Sequence, residues 1–115
     1  MTVQLSSLSL PLGLLELDPQ GVVVRYAAPA EERSSALAKD IVGRDFFTEV
    51  VPAGRVAEFR ARFRAFMEGG RSVEKFTARV AEDGQSLKVQ IVMAHVSEKS
   101  AGERRRLALV RIMPE

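Results

Sequence analysis

The chemistry open to this chain of 115 residues is bounded by what it lacks. It has no cysteine, no tryptophan, one histidine (His95) and one tyrosine (Tyr26). Without thiols there is no disulfide, no zinc–thiolate or iron–sulfur site and no cysteine nucleophile. With a single histidine, a histidine-rich metal cluster is excluded, and a Ser–His–Asp arrangement would have to be built on His95 alone. No carboxylate pair is set up for acid–base work, because Glu31-Glu32 and Glu82-Asp83 fall in apparent turns or exposed helix starts. The expectation is a non-enzymatic domain with no metal and no resident cofactor.

Five groups of residues could still recognise something, and each has a plainer reading. Tyr26 could orient a ligand through its hydroxyl, but a tyrosine at a strand end more often packs its ring and bonds a nearby backbone group. His95 could ligate haem; a hydrogen-bonded histidine at the core or its rim is the preferred reading. Phe59, Phe63 and Phe66 are read as core rather than as an aromatic ligand box. Arg104-Arg105-Arg106 could meet phosphate or an acidic partner, or could keep a surface strand soluble and unpaired. Arg60 and Arg64, with Arg55, make a basic stripe on a helix that is either solvated or matched to an acidic partner surface.

Composition sets the frame for these groups. The chain is 46% apolar and 28% charged, with a formal net charge of +2 from 17 basic and 15 acidic residues. That length suits one domain, 1–115, able to bury a core without a metal or disulfide staple. The small, interspersed excess of positive charge does not suggest a nucleic-acid binder. No apolar run reaches the ~20 residues needed to span a bilayer. Met1-Thr2-Val3-Gln4 lacks a charged leader region, and Pro11 and Gly13 interrupt the leucine-rich stretch that follows, so a cytoplasmic protein is expected.

The elements that must position these side chains follow from local pattern. Residues 1–12 are rich in leucine, and Leu5, Leu8 and Leu10 suit either a cap over the domain's own core or an exposed dimerisation segment. Gly13–Leu17 and Val22–Tyr26 flank Asp18-Pro19-Gln20-Gly21, which favours a type I turn and makes the pair a hairpin. Residues 29–40 suit short helical turns, and 41–47 form a compact apolar turn that runs on to Pro52. From Arg55 to Glu68, Val56, Phe59, Phe63 and Phe66 share one helical face, with Glu58 and Arg62 paired outside. Gly69-Gly70 is expected to end the helix through a left-handed glycine. Three strands follow: Val73–Ala81, then Leu87–Val96 after a tight turn at 82–85, then Arg106–Met113 after a polar loop at 97–102. The fold class is α+β.

Two strands, inserted helices and three strands is the order of the PAS domain, a five-stranded antiparallel sheet with its helices between the second and third strands. Local residues strengthen the likeness. Leu17-Asp18-x-x-Gly21, Tyr26-Ala27-Ala28, Val42-Gly43-Arg44-x-Phe46-Phe47, Val50-x-Pro52 and Glu58-Phe59-x-x-x-Phe63 resemble photoactive yellow protein and its relatives. Glu74-x-Phe76 and Leu87-Lys88-Val89-x-Ile91 continue the resemblance, which covers about residues 10–113.

The resemblance implies a chromophore site whose parts are mostly missing. Photoactive yellow proteins hold a p-coumaroyl group through a cysteine thioester just after the Val-x-Pro turn, and Ala53 stands there. Tyr26 matches the tyrosine that bonds the chromophore phenolate, and Ser34 replaces a threonine. Ala30 replaces the proton-donating glutamate, and Ala36 replaces the gating arginine. A thioester cannot form without sulfur, so the protein should be colourless. The alanines either open a small apolar pocket beside Tyr26, Ala30, Ser34 and Ala53 or let the core collapse into the space, which close packing favours.

Two functions remain in view. The first is a stand-alone, non-photoactive PAS domain that signals or assembles through protein contacts. Its partner would be an effector protein or another PAS domain, homodimerisation included, with Leu5, Leu8 and Leu10 supplying apolar contact and Arg60 and Arg64 setting partner choice. The second is a sensor that holds a small apolar ligand or haem in the pocket. Neither involves nucleic acid or a membrane.

Overall fold

The computed structural model describes residues 12–27, 41–51, 57–82, 85–100 and 102–115. Strand β1 (Gly13–Leu17) alternates inward Leu15 and Leu17, exposed by no more than 1%, with outward Leu14 and Glu16. It turns into β2 (Val23–Ala27) through Asp18-Pro19-Gln20-Gly21. The turn closes with Gly21 N–H donating to the Asp18 carbonyl at 2.8 Å, while the Asp18 carboxylate accepts from Gln20 and Val22 N–H at 2.9 Å each. This is the hairpin that the sequence predicts. The register shifts between Glu16 and Leu17, where Val24 is the extra residue, and Val22, just before β2, bridges to Asp45.

Beyond β2, residues 28–40 lie outside the described residues, and the chain is next seen in the apolar turn at Ile41. Asp45 starts a single π-helical turn, Phe46–Val50, by accepting from the N–H groups of Phe47 and Thr48 at 3.0 and 3.1 Å. Glu49 reaches back to accept from Asp45 N–H at 3.0 Å, so two ends of one turn cap each other. That turn drives Phe46 and Phe47 into the core, exposed by 0% and 2%.

Helix α1 is described over Ala57–Glu68 and buries Phe59, Phe63 and Phe66, as their spacing demands. The predicted start at Arg55-Val56 lies outside the described residues. The helix ends where expected but by a different device. Neither Gly69 nor Gly70 has a positive φ; Gly69 N–H continues the helical pattern to the Ala65 carbonyl at 2.9 Å. A Cβ on Gly69 would lie 2.9 Å from that same oxygen, so close backbone approach is what the glycine allows.

Strands β3 (Val73–Glu82), β4 (Gln85–Ser100) and β5 (Glu103–Pro114) complete an antiparallel sheet of five strands in the order β2-β1-β5-β4-β3. The expected polar loop at 97–102 is shorter than the sequence suggests. Strand pairing continues without a slip from Val89↔Pro114 to Ser100↔Glu103, and Gly102 has φ +82°. Charged residues on both strands hid this pairing, because hydrophobic alternation stops before the hydrogen bonds do. One sheet face packs against α1 through Phe76, Ala78, Val89, Ile91, Met93, Ala108, Val110 and Ile112, and the α+β expectation holds.

Candidate functional site

The space between sheet and α1, where a sensor of this shape would hold a ligand, is occupied by rings in its described part. All six phenylalanines of the chain are buried. Phe47 packs edge-on against Phe46 and Phe59 at centroid distances of 5.0 and 5.2 Å, and at a tilt against Phe63 at 5.2 Å. Phe59 continues the chain of contacts to Phe76 at 5.8 Å. Rings at these separations and angles are attractive as well as space-filling. The core reading of Phe59, Phe63 and Phe66 is therefore what the structure shows.

Of the four residues expected around the pocket, Tyr26 is described; Ala30, Ser34 and Ala53 lie outside the described residues, as does Ala36. Tyr26 is half-buried against the core, and its hydroxyl donates to the Leu12 carbonyl at 2.6 Å. The ring packs and the hydroxyl holds the chain entering β1. An open depression of about 500 Å³ lies elsewhere, beside the C-terminal half of α1, with Arg62, Phe66, Arg71 and Glu74 on its walls. Arg62 crosses it to Glu74 at 3.2 Å, pairs with Glu58 at 3.3 Å as expected, and lies 4.7 Å above the Phe76 ring.

His95 sits on the helix side of β4, the side that strand alternation with Met93 implies. Its ring is stacked on Phe66, with centroids 4.0 Å apart and planes 5° from parallel. Nε2 lies 3.0 Å from the Phe66 carbonyl, and Arg106 Nε–H donates to Nδ1 at 3.1 Å. Because Nδ1 must accept, the proton of the neutral ring sits on Nε2 and is donated to a carbonyl in the last turn of α1. His95 thus caps the helix end that the glycines do not. Burial and the neighbouring Arg106 hold its pKa below the usual histidine value, against the opposing pull of the Phe66 carbonyl. Both ring nitrogens are engaged within the protein, which favours the rim histidine over the haem ligand. Among the described residues no cluster of three or more His, Asp or Glu side chains could hold a metal ion.

The arginines sort differently from their order in the sequence. Arg60 is half-buried and Arg64 exposed on α1, as the helical pattern implies. The triplet at 104–106 is split by the pleat. Arg105 turns to the outward face of the sheet, where Glu98 accepts from it at 3.2 Å and also pairs with Arg25. Arg25 in turn pairs with Glu16 across β1 and β2, so ion pairs link four strands on that face. The Arg25 guanidinium is the leading cause of a lowered Glu98 pKa. Arg104 and Arg106 turn to the opposite face. Strand alternation was the signal that could have divided this triplet, had β5 been read as starting at Glu103 rather than Arg106.

On the outward face the apolar residues are uncovered in part. Leu14 is 41% exposed, Val73 55% and Met113 43%, and Val92, Ala94, Val96 and Leu109 lie half-buried on the same side. Leu107, also on that side, is buried. Leu5, Leu8 and Leu10 lie outside the described residues.

Comparison with known proteins agrees with the sheet order and the helix placement. A family model described as the PAS fold matches residues 8–111. Photoactive yellow protein of Halochromatium salexigens is 31% identical over 67 residues, covering 58% of this chain and 54% of that protein. The protein of the same name from Cereibacter sphaeroides is 27% identical over 84 residues, covering 73% and 68%. The chain therefore spans about half the length of the first of these relatives and two thirds of the second. Among solved structures, the photoactive yellow protein domain of the sensor histidine kinase Ppr from Rhodospirillum centenum superposes with a TM-score of 0.59 at 28% identity, covering 94% of this chain and 97% of that one. The PAS domain of BvgS from Bordetella pertussis shares the fold, with a TM-score of 0.58 at 16% identity, over 91% and 77% of the two chains. On a match that runs through nearly all of its length, the chain belongs to the PAS fold family, as a sensory or signalling domain with distant photoactive yellow protein homology and no cysteine to carry a chromophore.

Proposed function

We propose that this PAS domain acts through protein–protein contact at the outward face of its sheet and not through photochemistry. The observation that carries the reading is that face itself, where Leu14, Val73 and Met113 stand exposed beside half-buried Val92, Ala94 and Leu109. This partly apolar surface, crossed by exposed Arg111 and Lys75 and bordered by the ion pairs of Glu16, Arg25, Glu98 and Arg105, suits a second PAS domain or an effector. The leucines of the N-terminal segment, Leu5, Leu8 and Leu10, would add to the same contact, whereas Arg60 and Arg64 stand on α1 across the sheet from it and would set partner choice only for a contact on the helix side. No catalytic step is assigned to the domain.

Two facts support a non-photoactive reading. The chain has no sulfur nucleophile for a thioester, and the described space between sheet and α1 is packed with phenylalanine. Native mass spectrometry tests the proposal. A bare homodimer, lost when Leu14 is replaced by arginine, or a protein complex with the same sensitivity, supports it. A monomer carrying a small molecule of reproducible mass would instead support an apolar-ligand or haem sensor. A stable interface ordinarily covers about 800 Å² on each partner, and a second cation at Leu14, directly opposite Arg111, should disrupt it measurably.

A further inference from the structure

The hairpin of β4 and β5 runs on past both of its neighbours in the sheet. Pairing with β3 stops at Ala94 and pairing with β1 stops at Ala108, while β4 and β5 remain paired to Ser100 and Glu103. The result is a two-stranded arm. Alternation puts both acidic side chains of the arm on one face. Glu98, Glu103 and Arg105 share one face, where Glu98 holds both Arg105 and Arg25. Lys99, Arg104 and Arg106 share the other, all exposed, with Ser97 between them.

On this second face Lys99 and Arg104 are direct cross-strand partners. Like charges placed opposite one another destabilise a sheet, so the pair works against the fold that holds it. Among the described residues neither is in an ion pair, whereas the acidic side chains of the arm are all on the far side. Arg106 spends its Nε–H on His95 and keeps its terminal guanidinium nitrogens for other acceptors. The arm is thus a short, preorganised row of cations with its natural counter-ions removed.

We propose that this face of the arm receives an acidic, extended segment of a partner protein. Alternate residues of a strand lie about 6.7 Å apart, so Arg104 and Arg106 match carboxylates at every second position of an extended chain. Each guanidinium can take a carboxylate by two parallel hydrogen bonds. A single-stranded nucleic acid is disfavoured because the arm offers no free aromatic surface for base stacking; its only ring, His95, is already stacked on Phe66. The surface is separate from the outward apolar face, and the proposal stands whether or not that face is an interface.

The probe is a fluorescein-labelled peptide of alternating aspartate and threonine, compared by anisotropy with its asparagine counterpart and with oligothymidylate of equal charge. The native protein should bind the aspartate peptide best, and salt should weaken it. R104Q with R106Q should cost ~10-fold or more in affinity, two charge-assisted contacts being lost, whereas R105Q should stay within about twofold. K99E supplies a second readout, because it should raise the melting temperature by replacing a repulsive pair with an attractive one while it abolishes peptide binding. Equal losses from R105Q and R104Q, tighter binding of oligothymidylate, no preference for the aspartate peptide, or unchanged binding by K99E would each overturn the proposal.

Discussion

Replacing His95 by phenylalanine separates the packing of this residue from its hydrogen bonds and its proton. Phenylalanine keeps a flat ring over Phe66, where the imidazole stacks at 4.0 Å, but loses the bond to the Phe66 carbonyl at 3.0 Å and the one from Arg106 at 3.1 Å. At net values of ~0.5–1.5 kcal/mol per hydrogen bond, and with water able to reach a half-buried site, the loss is about 1–2 kcal/mol when His95 is neutral. Unfolding entropies of ~2.1 cal/mol/K per residue convert each kcal/mol into about 4 °C for a chain of this length, so the melting temperature should fall by about 4–8 °C in mildly alkaline buffer.

The same variant fixes the sign of a pH effect. Burial and then Arg106 hold the His95 pKa below its ordinary value, so the unfolded chain takes up the proton first. As pH falls below about 6.5 the unfolded state binds more protons than the native one, and the native protein loses stability until the lowered pKa is passed. Phenylalanine has no such linkage, and groups common to both proteins cancel in the difference. Paired urea titrations across this range should therefore show the gap between wild type and H95F closing on acidification. A gap that stays constant or widens would refute the reasoning. Widening would mean that the attraction of an imidazolium to the C-terminal end of α1 outweighs burial and Arg106.

Three further outcomes follow from the packing. Phe59→Ala removes a ring exposed by 1% that touches Phe46, Phe47 and Phe76, and should cost about 3–5 kcal/mol in chemical denaturation. Gly21→Ala should cost more than about 1 kcal/mol, since Gly21 has φ +92° and a Cβ there would lie 3.2 Å from the Phe47 ring. Asp45→Ala unties two N–H groups of the π-helical turn and should cost about 0.5–2 kcal/mol in the same assay.

Strand and helix identity were legible because each has a periodic signal in this chain. Leu15 and Leu17 alternate, Phe59, Phe63 and Phe66 fall on one helical face, and Asp18-Pro19-Gln20-Gly21 carries its own turn chemistry. What was not legible lies where hydrogen bonding outlasts hydrophobic pattern. Glu98, Lys99 and Arg104 to Arg106 read as loop and strand entry, yet the register carries through them to Ser100↔Glu103. The end of α1 was placed correctly on the strength of Gly69-Gly70, but the cap is His95, 29 positions away from Phe66 in the sequence. No local rule reports such a contact. The candidate pocket was read through family likeness, and of its residues Tyr26 shows how chemistry at one position depends on a neighbour in space, since Leu12 supplies its acceptor.

The proposed mode of action is contact with protein, without a bound chromophore or ligand. Native mass spectrometry of the purified chain, recorded alongside its absorption spectrum after incubation with activated p-coumarate, tests it most directly. The expected result is the bare polypeptide mass in a homodimer or protein complex that Leu14→Arg dissociates, with no visible absorption band. A monomer with a constant mass increment, or a coloured adduct, would contradict it.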